Sequence, residues 1–104
     1  MNFEIGDGNY SSLLETGKPI VIDFNAQWCA PCRRMAPIIE DLAGQYDGKV
    51  IIGSCDVDDN EDLATQFGIR NIPAFVFIKD GEVKDTLVGA VSKSTIEEKI
   101  KALL

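Results

Sequence analysis

Two cysteines separated by two residues are the strongest chemical signal in this 104-residue chain. They lie in the string Trp28-Cys29-Ala30-Pro31-Cys32, between an apolar segment of strand length and a segment with helical periodicity. At this spacing a cysteine pair can form and break one disulfide within a single helical turn. Backbone N–H groups and the positive dipole at a helix start favour a thiolate. The motif predicts thiol–disulfide exchange, with Cys29 as the exposed attacking thiol and Cys32 as the buried resolving thiol.

Two other interpretations of the cysteine pair stay open, namely half of a metal site and an inert structural disulfide. Zinc and iron–sulfur sites usually need four ligands, and the chain offers only Cys55 in addition and no histidine. The missing histidine also argues against Cys–His proteases and serine triads. We therefore predict no metal site and no bound cofactor. Cys55 lies in an apolar segment and is expected to be packed and inert, with regulatory oxidation as the alternative.

Asp23 is the second chemical feature, because it interrupts the apolar run Ile20-Val21-Ile22-Asp23-Phe24. A buried carboxylate costs free energy unless it is paired or neutral, and burial raises its pKa. Asp23 then becomes able to exchange a proton with Cys32. A carboxylate at a strand end that reaches water is an equally open interpretation.

Ile72-Pro73 is the third feature, and it stands immediately before a β-rich segment. Pro73 has no N–H to donate to a sheet, so it fits the start or the edge of a strand. Because most X–Pro bonds are trans, the residues alone predict a trans proline in a loop.

The length, composition and net charge of the chain restrict the class of protein. The length fits one domain, residues 1–104, and 45% hydrophobic with 26% charged residues is ordinary for a globular chain. Ten basic and seventeen acidic residues give a net charge of −7, which argues against nucleic acid or an anionic membrane as a partner. No apolar run approaches the ~20 residues that span a bilayer. The first residues lack a basic region followed by an apolar stretch, so we expect no signal peptide and a cytoplasmic location.

Predicted helices and strands follow one another along the chain. Apolar periodicity predicts helices at 11–17, after the cysteine motif, after Asn60 as the cap, and near the C-terminus. Ser94 and Glu97 have capping-box spacing for the last helix, with Ser92 as the alternative cap. Strands are predicted at 20–24 and 49–57, followed by an antiparallel hairpin at 74–78 and 83–88 around an Asp-Gly turn. This order predicts an α/β domain with a mixed sheet that is covered on both sides.

Together these features resemble the thioredoxin family, and the match covers essentially the whole chain. The matching strings are Val21-Ile22-Asp23-Phe24, Trp28-Cys29-Ala30-Pro31-Cys32, Ile69-Arg70-Asn71-Ile72-Pro73 and Val88-Gly89-Ala90. The resemblance implies a thioredoxin fold, a three-layer α/β/α arrangement in which four helices flank a mixed sheet of four or five strands. It also implies a monomer with roles in electron transport and cell redox homeostasis.

The resemblance also assigns roles to residues. Cys29 is implied to be the nucleophile, Cys32 the resolving thiol, Asp23 a buried proton-transfer group, and Ile72-Pro73 a cis peptide beside the disulfide. Disulfide-containing protein substrates would bind in a shallow groove, and an NADPH-dependent thioredoxin reductase would supply electrons. The residues implied to line this groove are Trp28, Ala30, Pro31, Ile72, Pro73, Val88, Gly89 and Ala90.

Three residues depart from the commonest family pattern. Ala30 replaces a glycine between the cysteines, Asn25 replaces an aromatic residue, and Ser54 stands where many members place a lysine near the buried aspartate. Without that lysine, the surroundings of Asp23 disfavour its ionised form further. We therefore expect a reductase of protein disulfides, with two alternatives. One is a disulfide oxidant or isomerase of the same fold, and the other is a non-catalytic binding subunit.

Overall fold

The computed structural model describes residues 3–104, and four helices and four strands are assigned there. In chain order they are α1 (Tyr10–Glu15), β1 (Ile20–Asn25), α2 (Ala30–Gln45), β2 (Ile51–Asp56), α3 (Glu61–Gln66), β3 (Ala74–Lys79), β4 (Glu82–Val88) and α4 (Lys93–Lys101). The predicted elements are therefore confirmed, with boundaries that shift by one or two residues. Helix α2 continues through Pro37. None of the helices in this part of the chain is both long and apolar enough to cross a bilayer.

The four strands form one mixed sheet in the order β2-β1-β3-β4. β1 pairs in parallel with β2, whereas β1–β3 and β3–β4 are antiparallel. Asp80 and Gly81 both have positive φ in the turn between β3 and β4, which is the conformation that an Asp-Gly hairpin favours. Glu4 adds one isolated parallel bridge to Ser54, so the pairing of the sheet beyond β2 is short.

Two apolar clusters cover the two faces of the sheet and explain the nearly continuous apolar run of β1. Val21, Phe75 and Phe77 pack against α2 and α4 on one face. Ile22 and Phe24 pack on the other face with residues of α1 and α3. Because β1 is buried on both sides, its buried residues 20–24 are all apolar except Asp23. The three-layer α/β/α arrangement is therefore confirmed.

The capping of α3 differs from the prediction. Asn60 occupies the cap position, but its side chain makes no capping hydrogen bond. Its Oδ1 accepts the backbone N–H of Asp7 (3.0 Å) and its Nδ2 donates to the carbonyl of Asp56 (2.9 Å). The side chain of Asp7 accepts the N–H of Leu63 (2.8 Å) instead. The predicted position of the cap is confirmed, but its side-chain hydrogen bond is absent because the Asn60 amide instead bonds Asp7 and Asp56.

Helix α4 begins at the alternative cap. Ser92 Oγ accepts the N–H of Thr95 (3.2 Å), so the Ser94–Glu97 capping box is wrong. Glu97 is used elsewhere, because its carboxylate accepts the hydroxyl of Tyr46 at 2.6 Å. This contact ties α4 to the end of α2.

Candidate active site

The cysteine pair lies at the junction between β1 and α2. Cys29 is the N-cap of α2 with extended backbone, and Ala30 and Pro31 open the helix, where a missing proline N–H costs nothing. Cys29 and Cys32 form a disulfide with their Cα atoms 5.3 Å apart. The N–H of Cys32 donates to Cys29 Sγ at 3.3 Å. This N–H points at Cys29 Sγ, the atom that carries the negative charge when Cys29 is a thiolate.

Exposure does not distinguish the two cysteines, contrary to the expectation of an exposed Cys29. The exposed fraction is 6% for Cys29 and 4% for Cys32. Both pack with Ala26, Val57 and Ile72, which cover the disulfide. The prediction of an exposed Cys29 is wrong because the residues after β1 and β2 and before β3 meet over it. The Cys32 N–H remains the feature that separates the two sulfurs.

Asp23 is buried in the middle of β1, with 1% of its surface exposed. Because side chains alternate along a strand, Asp23 shares a face with Val21, the face that α2 covers. Among the described residues its Oδ1 has no hydrogen-bond partner. Burial raises the pKa of Asp23 to about 7, and the Asn25 amide opposes this more weakly. The alternative of a carboxylate that reaches water is therefore wrong.

Asn25 joins the two strands below the active site, a role that we did not predict. Its Nδ2 donates to the carbonyl of Asp23 (2.9 Å) and to Ser54 Oγ (2.6 Å). Ser54 lies opposite Asp23 in the β1–β2 register. The departure of Asn25 and Ser54 from the family pattern was the only signal in the sequence for this contact.

The Ile72-Pro73 peptide is cis, as the resemblance implied, so the trans expectation from the residues alone is wrong. Ile72 packs against the cysteines, and Pro73 is buried at the start of β3. The carbonyl of Pro73 accepts the N–H of Gly89 at 2.8 Å. Within residues 3–104, no backbone hydrogen bond is made by Ile72. Its N–H and carbonyl therefore have no backbone partner in this part of the chain.

The remaining groove residues lie at the surface. Trp28 is 70% exposed and Val88 is 58% exposed. Ala30 and Ala90 are also exposed, and Pro31 and Gly89 are half-buried. The structure thus leaves an apolar indole and an apolar strand end uncovered near the disulfide.

Asp58 is a further residue that sequence reasoning missed. Trp28 Nε1 donates to Asp58 Oδ2 at 2.9 Å and so fixes the indole. Trp28 follows β1 and Asp58 follows β2, and the carboxyl ends of parallel strands meet at one edge of a sheet. The parallel pairing could therefore have indicated this contact in advance.

Cys55 lies on the opposite face of the sheet from α2. It is fully buried with Phe24 and Leu63, and it is a free thiol. Burial, with nearby carboxylates, raises the pKa of Cys55 to about 12. The prediction of a packed thiol is confirmed.

Among the described residues, no group of three or more Cys, Asp or Glu side chains is arranged to hold a metal ion.

Comparisons with known proteins agree with this geometry. The family model "Thioredoxin" matches residues 2–102. "Thioredoxin" of Chlorobaculum thiosulfatiphilum is 46% identical over 99 residues, which cover 94% of this chain and 92% of that protein. "Thioredoxin 2" of Chlorobaculum tepidum is also 46% identical over 99 residues, covering 94% of this chain and 91% of the relative.

A plant relative extends the comparison. "Thioredoxin M-type, chloroplastic" of Spinacia oleracea is 42% identical over 105 residues, covering 97% of this chain and 58% of the relative. A family match over almost the whole chain thus agrees with the sheet order and with a disulfide at the start of α2. The chain belongs to the thioredoxin family and is a thiol–disulfide oxidoreductase that reduces protein disulfides through its Cys29–Cys32 pair.

Proposed function

We propose that the chain is a single thioredoxin domain, residues 1–104, in which Cys29 is the nucleophile and Cys32 the resolving thiol. The single observation that supports this order is the Cys32 N–H directed at Cys29 Sγ at 3.3 Å. A hydrogen bond to sulfur at a helix start favours the thiolate, and the thiolate is the species that attacks a disulfide.

The reaction has two exchange steps. The Cys29 thiolate attacks a substrate disulfide, which releases one substrate thiolate and leaves a mixed disulfide at Cys29. Cys32 then loses its proton and attacks Cys29 Sγ, which releases the second substrate thiolate. Two electrons move to the substrate, and the protein is left with the Cys29–Cys32 disulfide found in the structure.

Asp23 is proposed to accept and return the proton of Cys32. It lies on the sheet face that α2 covers, and its buried Oδ1 has no partner among the described residues. A carboxyl group with a pKa of about 7 changes its protonation state near neutral pH, as a proton-transfer group requires.

The groove proposed to bind the substrate chain is lined by Trp28, Ala30, Pro31, Ile72, Pro73, Val88, Gly89 and Ala90. The exposed Trp28 and Val88 offer apolar contact to an unfolded or exposed segment. Within residues 3–104 the backbone of Ile72 has no backbone partner, so it can offer hydrogen bonds to an extended peptide.

An NADPH-dependent thioredoxin reductase is proposed to restore the dithiol, so that the chain works in electron transport and cell redox homeostasis. We propose a cytoplasmic monomer. A reducing compartment keeps thiols such as Cys55 reduced, and a net charge of −7 opposes self-association.

Trapping of mixed disulfides tests the assignment. Cys29→Ser should abolish reduction of insulin disulfides, whereas Cys32→Ser should accumulate a covalent complex with the substrate at Cys29. Mass spectrometry of the complexes after acid quenching identifies the linked cysteine. Complexes formed equally by both variants would contradict the assigned roles, and retained function in a Cys29→Ser/Cys32→Ser double variant would indicate a binding subunit.

A further inference from the structure

The turn after β2 carries the residue that holds the Trp28 indole. Asp58 lies in the middle of this turn, residues 57–59, and its side chain is exposed. The indole has a single N–H, and Asp58 Oδ2 accepts it at 2.9 Å. Trp28 is otherwise 70% exposed, so packing does little to fix it. The position of the indole therefore depends on how firmly the turn holds Asp58.

Asp56, the last residue of β2, holds the backbone of this turn with its side chain. Its Oδ1 accepts the N–H of Asp58 at 2.9 Å. This is an Asx turn, in which a side-chain oxygen two residues earlier takes the place of a backbone acceptor. A carboxylate that accepts a backbone N–H forms a charge-assisted hydrogen bond, which is stronger than one between neutral groups. The Asp56 carboxylate therefore fixes the middle of the turn.

The contacts at the two ends of the turn hold residues other than Asp58. At its start, the N–H of Val57 donates to a carbonyl of β1 at 2.9 Å. At its end, the N–H of Asp59 (3.2 Å) and Nδ2 of Asn60 (2.9 Å) donate to the carbonyl of Asp56. Among the described hydrogen bonds of this turn, it is the Asp56 carboxylate that takes the Asp58 N–H.

We propose that Asp56 is a positioning residue for substrate binding, which holds the Trp28 indole at the groove through the backbone of Asp58. Asp56 acts through Asp58, since it makes no hydrogen bond with Trp28 within residues 3–104. Without this contact the turn loosens, the Asp58 carboxylate moves, and the exposed indole samples several rotamers. A substrate must then order the indole as it binds, which lowers its affinity. The proposal rests on the proposed function, because it takes Trp28 as part of the groove.

The indole N–H reports this series of contacts directly. The protein contains one tryptophan, so the ¹⁵N–¹H spectrum holds a single indole signal. Asp58→Ala gives the position of this signal without the acceptor. In the full oxidised chain, Asp56→Ala should shift the signal toward that position, whereas Asp56→Asn keeps an oxygen acceptor and should stay near the wild type. A signal in Asp56→Ala at the wild-type position would overturn the proposal.

Asp59→Ala is the matched control, because it removes the same charge from the same turn. Asp59 is exposed, and its contact in the turn is made by its backbone N–H. The indole signal of this variant should stay at the wild-type position, and an equal shift in Asp59→Ala and Asp56→Ala would overturn the proposal in favour of a charge effect. Asp56→Val, which suits a strand, is a second variant without an acceptor and should behave as Asp56→Ala. It decides the test if Asp56→Ala does not fold.

Insulin reduction tests whether the held indole matters for binding. The kcat/KM of Asp56→Ala should fall roughly threefold, the size expected for the loss of one hydrogen bond, and that of Asp59→Ala should not change. In a Trp28→Phe background, Asp56→Ala should cause no further loss, because the phenyl ring has no N–H for Asp58 to accept. An equal loss in both backgrounds would show a general structural effect and overturn the proposal.

The two measurements separate this proposal from the proposed function. The indole signal is recorded without substrate, so it does not depend on disulfide exchange. A shifted indole signal with an unchanged kcat/KM in Asp56→Ala would overturn the role in binding while leaving the reductase intact. A wild-type protein that does not reduce insulin would instead contradict the proposed function.

Discussion

Asp23 and Ser54 lie directly opposite each other on β1 and β2, so their side chains share one face of the sheet. Ser54 Oγ accepts a hydrogen bond from Asn25, and no partner is found within residues 3–104 for Asp23 Oδ1. None of the ion pairs identified in that part of the chain includes Asp23. Burial therefore raises the pKa of Asp23, and none of these ion pairs supplies a cation that would lower it.

The buried Asp23 should make stability depend on pH. Burial raises its pKa from 3.8 to about 7 in the folded protein, so between these values the folded state holds a proton that the unfolded state has lost. Stability falls as pH rises through this window, by up to about 4 kcal/mol. Asp23→Asn should remove this loss and stabilise the oxidised protein by a few kcal/mol at pH 8 and much less at pH 5.

Urea unfolding at both pH values measures the difference. Asp47→Asn, at an exposed position after α2, is the control and should follow the wild type at both. An Asp23→Asn protein that is no more stable than the wild type at pH 8 would contradict a buried, proton-holding Asp23.

A lysine at position 54 should shift this titration. Ser54→Lys places a cation opposite Asp23. Because a nearby positive charge favours the carboxylate, the pKa of Asp23 should fall by about one unit or more. Ser54→Met, which is long and uncharged, is the control. The carboxyl ¹³C shift of Asp23 followed by NMR against pH gives the midpoint directly, and equal midpoints in the two variants would rule out a charge effect.

Asp23→Asn should also slow the second exchange step. With a mixed disulfide prepared at Cys29, release of the substrate should slow by roughly 10²-fold at pH 7 to 8, the usual size of a general-base contribution. The wild-type carboxylate is available as a base there, because the pKa of Asp23 is about 7. Below pH 6 wild-type Asp23 is protonated, so the two proteins should converge. Parallel pH–rate curves in rapid-quench measurements would leave Asp23 without a role in proton transfer.

Trp28 should contribute to binding rather than to folding. Because it is 70% exposed, Trp28→Ala should change the free energy of unfolding by less than about 0.5 kcal/mol. Loss of an indole contact at an interface costs more than about 1 kcal/mol, so kcat/KM for insulin should fall about tenfold. Trp28→Phe keeps an apolar ring without the donor to Asp58 and should recover part of the loss. A large loss of stability in Trp28→Ala would show a structural role instead.

Asp7 should stabilise α3 from a distance in sequence. Asp7→Ala removes the acceptor of the Leu63 N–H and should cost about 1 kcal/mol, the usual value of a cap. Asp7→Asn keeps an oxygen acceptor and should lose less. Thermal unfolding of both variants measures the difference, and equal losses would show that charge rather than the hydrogen bond is responsible.

Much of this arrangement was predictable because local patterns and tertiary structure agree. The apolar run of β1 indicated burial on both faces, and the Asp-Gly turn indicated the hairpin. The strand–helix junction at Cys29 followed from the periodicity after it. These features depend on residues close together in the chain.

The features that sequence reasoning missed depend on residues that are distant in the chain. The cap of α3 comes from Asp7, 56 residues before Leu63. Cys29 is covered by Val57 and Ile72, and Trp28 is held by Asp58, which is 30 residues away. Such contacts arise where strand ends meet at one edge of the sheet, and no local periodicity encodes them.

The buried third cysteine, Cys55, can report how often the core of the folded protein opens. Cys55 is sealed on the far face of the sheet and resists ionisation, so a maleimide added to the reduced native protein should label two thiols and leave the third. Labelling of Cys55 then requires opening of the core around Phe24 and Leu63. The rate of this labelling would report local opening of the native state without a cysteine introduced by mutation, in the same protein that carries out disulfide exchange.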